Sequence, residues 1–248
     1  MGEIAKRAEF PQFFGGEVLM GEDYVNLLYR PLYELGVSVT ALPNNPAVSP
    51  HLRSHADLMA FNCGNGRLVL SKGVISPMLV NYLTNRGFAI IEARREQKPS
   101  YPHDVGLCAA LVGKYFLHNL RHTDEAICEN LGGEIIPVQI NQGYARCSIC
   151  AVDDNSIMTF DRGVGRAARQ AGIDVLLLNE FEIRLNGFRN GFLGGSAFKL
   201  PNKSLAFTGQ ITNSLARAEI EVFLSERGIV PEYLSERPIF DIGGAVTL

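Results

Sequence analysis

No run of about 18 apolar residues occurs in this 248-residue chain, so no membrane-spanning helix is expected. Basic residues are not in excess either. There are 23 Lys and Arg against 26 Asp and Glu, a net charge of −3, and the cations are scattered along the chain. That leaves no basic face for nucleic acid. The opening MGEIAKRAEF lacks the apolar core of a secretory signal. Cysteine is sparse and odd in number: Cys63, Cys108, Cys128, Cys147 and Cys150 lie in apolar stretches. This fits reduced thiols in a cytoplasmic protein better than a disulfide framework. No linker, charge block or low-complexity tract interrupts the chain, so one globular domain over residues 1–248 is expected.

What is present is a repeat. DLMAFNCGNGRLVLS, DVGLCAALVGKYFLH, CSICAVDDNSIMTF and GGSAFKLPNKSLAFTG each read as two short strands. Each is followed by a helical stretch, a glycine and a third strand. Taking Asp57, Asp104, Cys147 and Gly194 as the heads of the first strands, the spacings are 47, 43 and 47 residues. A further 47 residues lead to Asp241, in FDIGGAVTL at the C-terminus. That strand has no partner after it. The missing parts stand at the other end: GGEVLM, EDYVNLLYRPLYE and LGVSVTAL. The fifth unit is therefore read as split between the termini.

Local chemistry supports this reading. Gly36, Gly87, Gly133, Gly172 and Gly228 each precede a third strand, where a helix end favours a residue with positive φ. The first strands are nearly continuous apolar runs, as expected for strands covered on both faces. Periods of this size point to a closed or stacked array, and a unit completed by both termini argues for closure. An open α/β sandwich with evenly spaced elements is the plainer alternative.

A ring of five ββαβ units resembles the pentein superfamily, the five-bladed α/β-propellers. Three stretches are similar to its guanidine-modifying members, namely dimethylarginine dimethylaminohydrolase, arginine deiminase and agmatine deiminase. Ser54-His55-Ala56-Asp57 resembles the H-x-D segment, GYARCSIC the segment of the nucleophilic cysteine, and FDIGGAVTL the acid–Gly–Gly segment. The resemblance covers nearly the whole chain in circularly permuted order, and extends to an uncharacterised bacterial pentein-like family. It implies a cysteine hydrolase of amidine or guanidine C–N bonds with a small cationic substrate. Cys147 would attack, His55 would protonate the leaving amine and activate water, and Asp241 would orient His55. Asp57 would pair with the guanidinium, and Asp104 is a second candidate for substrate contact.

Two departures weaken the cation site. Gly194-Gly195 stands where a second clamping acid is expected, and Ile242 is inserted between Asp241 and Gly243. The alternative function is a non-catalytic ring that binds a partner. Residue by residue, the plainer readings also stay open: Cys147 as core filler, His55 as a loop histidine, and Asp104 as a turn cap after Pro102. His118 and His122 have the i, i+4 spacing of metal ligands on a helix, but no third ligand accompanies them. No cofactor and no metal set is read from the chain.

Overall fold

The computed structural model describes residues 16–132 and 134–248. The opening segment read for a signal, and Gly133, lie outside the described residues. The chain starts with β1 (Glu17–Gly21), α1 (Glu22–Glu34) and β2 (Ser38–Leu42). The next unit is α2 (Ala56–Met59), β3 (Ala60–Gly64), β4 (Arg67–Leu70), α3 (Pro77–Asn85) and β5 (Ala89–Glu92). It is followed by β6 (Ala110–Val112), β7 (Tyr115–His118), α4 (Glu125–Asn130) and β8 (Ile136–Gln139). The third unit is α5 (Ala145–Ser148), β9 (Cys150–Ala151), β10 (Ser156–Thr159), α6 (Arg162–Gln170) and β11 (Asp174–Leu177). The fourth is β12 (Ala197–Leu200), β13 (Ser204–Phe207), α7 (Ser214–Ser225) and β14 (Val230–Tyr233), and β15 (Val246–Thr247) ends the chain.

These strands form five three-stranded sheets of one design. In each, the first strand pairs antiparallel with the second, and a helix crosses over to a parallel third. The fifth sheet is built from both ends of the chain. β15 pairs antiparallel with β1, Val18 opposite Thr247 and Leu19 opposite Val246, and β1 runs parallel to β2.

Side-chain alternation makes the ring. In a strand, successive side chains face opposite ways. Val18 and Met20 pack with Phe198 and Ala206 of the fourth unit, whereas Leu19 packs with Leu68 and Leu70 of the first. The same division recurs around the molecule. Val69 and Phe116 share one core, Leu117 and Ile157 the next, and Met158 and Phe207 the next. Five apolar cores thus lie between five cyclically adjacent pairs of sheets. Both faces of each middle strand are buried, at about 1.5–3 kcal/mol per large aliphatic or aromatic side chain. The first strands β3, β6 and β9 are buried throughout as well, which is why they read as apolar runs rather than alternating ones.

Caps and turns follow the local sequence. Ser76, Asp124, Asp161 and Asn213 accept backbone N–H bonds at the starts of α3, α4, α6 and α7. Helix α1 starts at Gly21 without a side-chain cap of its own. Ser54 supplies one across the ring, its Oγ accepting from the Asp23 N–H at 3.0 Å. This ties the His55 loop to the split unit. Gly36, Gly87, Gly172 and Gly228 all have positive φ, as the spacing predicts.

Candidate active site

The residues read as strand heads lie just ahead of the strands instead. Asp57 is in the single turn α2, Cys147 in the single turn α5, and Gly194 opens a 3₁₀ turn, each three residues before its first strand. Asp104 and Asp241 are in the loops that lead to β6 and β15. Within a strand these side chains would alternate into the inter-sheet cores. One turn earlier, they escape that alternation and meet one another.

All five units contribute to the meeting point. Cys147 Sγ lies 2.5 Å from Asp57 Oδ2. Donor atoms of His55, Asp57 and Cys147 all fall within 4.8 Å of one another. His55 Nδ1 is 4.0 Å from Asp241 Oδ1, close enough for charge interaction but beyond a hydrogen bond. Asp241 is itself fixed by backbone donors, the Phe192 N–H on Oδ2 and the Gly243 N–H on Oδ1, both at 2.8 Å. The Asp57 N–H donates to the Gly243 carbonyl at 3.1 Å, so the two segments hold each other. Asp104 stands at the edge of the group, its Oδ2 accepting from the Tyr144 hydroxyl at 2.6 Å.

The cluster is closed to solvent. His55, Asp57, Asp104, Cys147 and Asp241 are each 1–2% exposed. Cys147 also touches an apolar group comprising Leu52, Leu58, Val105 and Cys108. The Cys147 thiol therefore does not open to solvent in this arrangement. The half-buried Phe192 packs against that group and also lines a groove of about 460 Å³ together with Ser148, Asp161, Phe188 and Asn190. Its ring stacks on Tyr144, with centroids 6.2 Å apart.

Burial governs the electrostatics. The Cys147 thiol is held well above the usual range, first by its hydrogen bond with Cys108, then by burial and by the Asp57 carboxylate. Burial raises the Asp57 carboxyl as well, against the lowering effect of His55. Two anions at 2.5 Å would repel strongly, so the Cys147–Asp57 pair shares a proton. Three buried polar atoms of this group have no partner among the described residues: His55 Nε2, Asp57 Oδ1 and Asp104 Oδ1. Buried polar atoms are nearly always satisfied, so these three are features to explain.

The glycines answer the question of the missing acid. A Cβ on Gly194 would land on the carbonyls of Arg146, Cys147 and Ile149, and one on Gly195 would land on the Asp241 carboxylate. The backbone here fills the space that a clamping side chain would need. Gly243 is equally constrained, with positive φ and the His55 side chain against it. Sequence reasoning missed four participants. Cys108 looked like one more apolar strand residue. Phe192 carried no motif, and Tyr144 stood in the cysteine segment without a role of its own. Arg146, beside the nucleophile candidate, is buried, and its guanidinium donates to the Gly194 carbonyl at 2.8 Å.

The profile of one protein family, described as a family of unknown function (DUF6873), matches residues 20–246. The chain belongs to that family. No curated protein matches this DUF6873 member in sequence. Its fold is that of the penteins. The inosamine-phosphate amidinotransferase of Streptomyces griseus superposes with a TM-score of 0.59 at 10% identity, over 98% of this chain and 93% of the other. The DDAH of Pseudomonas aeruginosa, complexed with citrulline, gives 0.55 at 11% identity, over 98% and 97%. The N-terminal domain of the cyanobacterial arginine dihydrolase ArgZ, bound to product, gives 0.53 at 13% identity, over 92% and 94%.

Proposed function

We propose that this protein is a cysteine-dependent hydrolase of an amidine- or guanidine-type C–N bond. The observation that carries the reading is the convergence of Cys147, His55, Asp57 and Asp241 from three separate units, with His55 Nε2 and Asp57 Oδ1 buried and unpartnered. The names of the structural neighbours, an amidinotransferase and an arginine dihydrolase, agree with the reaction class. ArgZ has also been captured covalently bound to a reaction intermediate.

In this reading the substrate cation takes the Asp57 carboxylate, and Asp104 Oδ1 offers a second acceptor. With Asp57 engaged, the thiol loses the carboxylate that holds its proton. That proton passes to His55 Nε2, and the Cys147 thiolate attacks the amidino carbon. A C–S bond forms and the C–N bond breaks as His55 returns the proton to the departing amine. Water, deprotonated by His55, then displaces the thiol and regenerates it protonated. Asp241, anchored by two backbone N–H groups, orients the imidazole.

Alkylation separates this from the plainer readings. A haloacetamidine is expected to label Cys147 faster than iodoacetamide does, after correction for each reagent's rate with a free thiol. Asp57→Asn should erase most of that preference and leave the fold intact. Equal corrected rates in the wild type would sink guanidinium recognition. They would favour a ring that binds without turnover, a reading supported by the absence of room for an acid at Gly194 and Gly195.

A further inference from the structure

The cations that are scattered along the chain gather at one place in the fold. Arg162, Arg166 and Arg169 stand at i, i+4 and i+7 of α6, exposed on one face of that helix. With Leu177, Leu178 and Asn179, at the end of β11 and just beyond it, they line a groove of about 480 Å³. Small-molecule sites run to roughly 300–1,000 Å³, so the groove is of that size. Arg169 is tethered, its Nη2 donating to the Val175 carbonyl at 3.0 Å.

The stripe runs against the electrostatics of its own helix. α6 reads RGVGRAARQ, without an acid in its first turn, and Arg162 sits at the positive end of the helix dipole. Like charges three and four residues apart repel each other. Other helices avoid this: Arg30 pairs with Glu34 in α1, and Arg217 with Glu221 in α7. Among the described residues no carboxylate pairs with Arg162 or Arg166. The acids nearest in sequence, Asp161 and Glu180, line the neighbouring groove beside Phe192. There Asp161 caps α6 and Glu180 accepts from the Asn190 side chain. Three guanidinium groups lining one groove without an acid among them suit an anion.

We propose that this groove binds an organic diphosphate, its phosphates on the three arginines and its organic part against Leu177. The span decides for more than one phosphate. Arg162 and Arg169 are seven residues apart, about 10 Å along a helix and longer than a single phosphate group. Charge agrees. Three guanidinium groups match the roughly three negative charges of a diphosphate ester near pH 7, whose terminal group has a second pKa of about 6. The guanidinium fork also suits phosphate oxygens in geometry, taking two at once. Beside the arginines, the half-buried Leu177 offers apolar surface to the organic group. No residue of the groove belongs to the Cys147 cluster, so the site stands whether or not the hydrolase reading holds.

The test uses the full chain and adenosine diphosphate as the probe. Isothermal titration calorimetry is expected to saturate at one equivalent and to weaken as salt is raised, because salt screens exposed charges. Arg166→Gln should raise the Kd about tenfold, the loss of one charge-assisted contact. Arg162→Gln should act in the same direction, and Arg166→Lys should recover only part of the loss because the fork is gone. Arg30→Gln, on an exposed arginine of α1, should change nothing. Circular dichroism of each variant should match the wild type, since all three arginines are exposed. Pyrophosphate should bind more weakly than adenosine diphosphate, and inorganic phosphate more weakly still. No saturable binding, or an affinity indifferent to both Arg166→Gln and Arg162→Gln, would overturn the site. Pyrophosphate binding as tightly as adenosine diphosphate would remove the organic part from the proposal. An oligoglutamate peptide that binds through Arg166 where adenosine diphosphate does not would replace the small molecule with an acidic protein segment. Arg166→Gln should leave the haloacetamidine selectivity of Cys147 unchanged, so the failure of either reading is visible apart from the other.

Discussion

His118, by its spacing from His122, is a candidate ligand on a helix. In the fold it instead ends β7, fully buried, with Nδ1 2.7 Å from Thr123 Oγ1 and Nε2 3.0 Å from the Gly143 carbonyl. A carbonyl can only accept, so Nε2 carries the proton and Nδ1 accepts from the threonine. Burial holds the imidazole down to about 4, so it stays neutral when folded. In the unfolded chain it titrates near 6.5. The unfolded state therefore binds the extra proton between those values, and stability present above about pH 6.5 is lost as pH falls toward 4. From pH 7 to pH 5 this residue alone should cost about 2 kcal/mol. Denaturant midpoints at the two pH values should show it, and His118→Gln should flatten the difference; an unchanged slope would show that His118 is not the cause. Phe192 raises a different question at this scale, because its ring stands between the groove and the Cys147 cluster. Phe192→Ala should speed iodoacetamide labelling of Cys147 several-fold, since the barrier to a buried thiol is access. An unaltered rate would mean that reagents reach the thiol by another path.

Among the elements, the helix-to-strand junctions were legible, because a left-handed C′ position is a local demand that glycine meets at least cost. Gly36 and Gly228 have positive φ and open space around them, so a methyl group there would meet nothing within 4 Å. The cost of Gly228→Ala is then conformational only, about 1–2 kcal/mol. Gly195→Asp differs in kind. It would drive a side chain into the Asp241 carboxylate, and should disrupt the fold rather than restore a cation clamp. Thermal denaturation of the two variants checks the contrast: a modest loss for Gly228→Ala and a severe one for Gly195→Asp. A stable Gly195→Asp protein would mean that the neighbouring backbone can move aside. The single turns α2 and α5 were not legible. Each is one helical turn, too short to leave a periodic signal, and each is held by its surroundings rather than by propensity.

At the level of the whole molecule, the ring is sealed where the chain ends meet. The Asn62 side chain donates to the Thr247 carbonyl at 2.8 Å, and Glu17 pairs with Arg86 and accepts from the Tyr82 hydroxyl at 2.5 Å. The first unit thus grips both halves of the split one. Termini that share a sheet can be joined without changing any core. A permutant linking Leu248 to Gly16 through a short Gly/Ser segment, and opened at the exposed Lys98–Ser100 loop, should fold to the same circular dichroism spectrum and a similar melting temperature. Failure of that permutant to fold, with the linker lengthened as a control, would mean that the split is required and the seam is not equivalent to the other junctions.

The repeat, its glycine punctuation and the division of the fifth unit were determined by the sequence alone. They rest on local rules of strand alternation, helix termination and spacing that each segment obeys by itself. The candidate residues were also named there, because H-x-D and the cysteine segment are short and contiguous. The tertiary structure decided the rest. Whether Cys147 is open or sealed depends on Phe192, Val105 and Leu58, which come from three different units. Cys108 is indistinguishable from core in its own apolar segment ahead of β6, and becomes a second thiol at the site only because Asp57 and Cys147 arrive from elsewhere. The absence of an acid at Gly194-Gly195 could be read from the sequence, but not its cause, which is that the backbone there already touches Asp241 and the Cys147 turn. Contacts between distant segments leave no local pattern, since each partner satisfies its own neighbours and the match exists only in the closed ring.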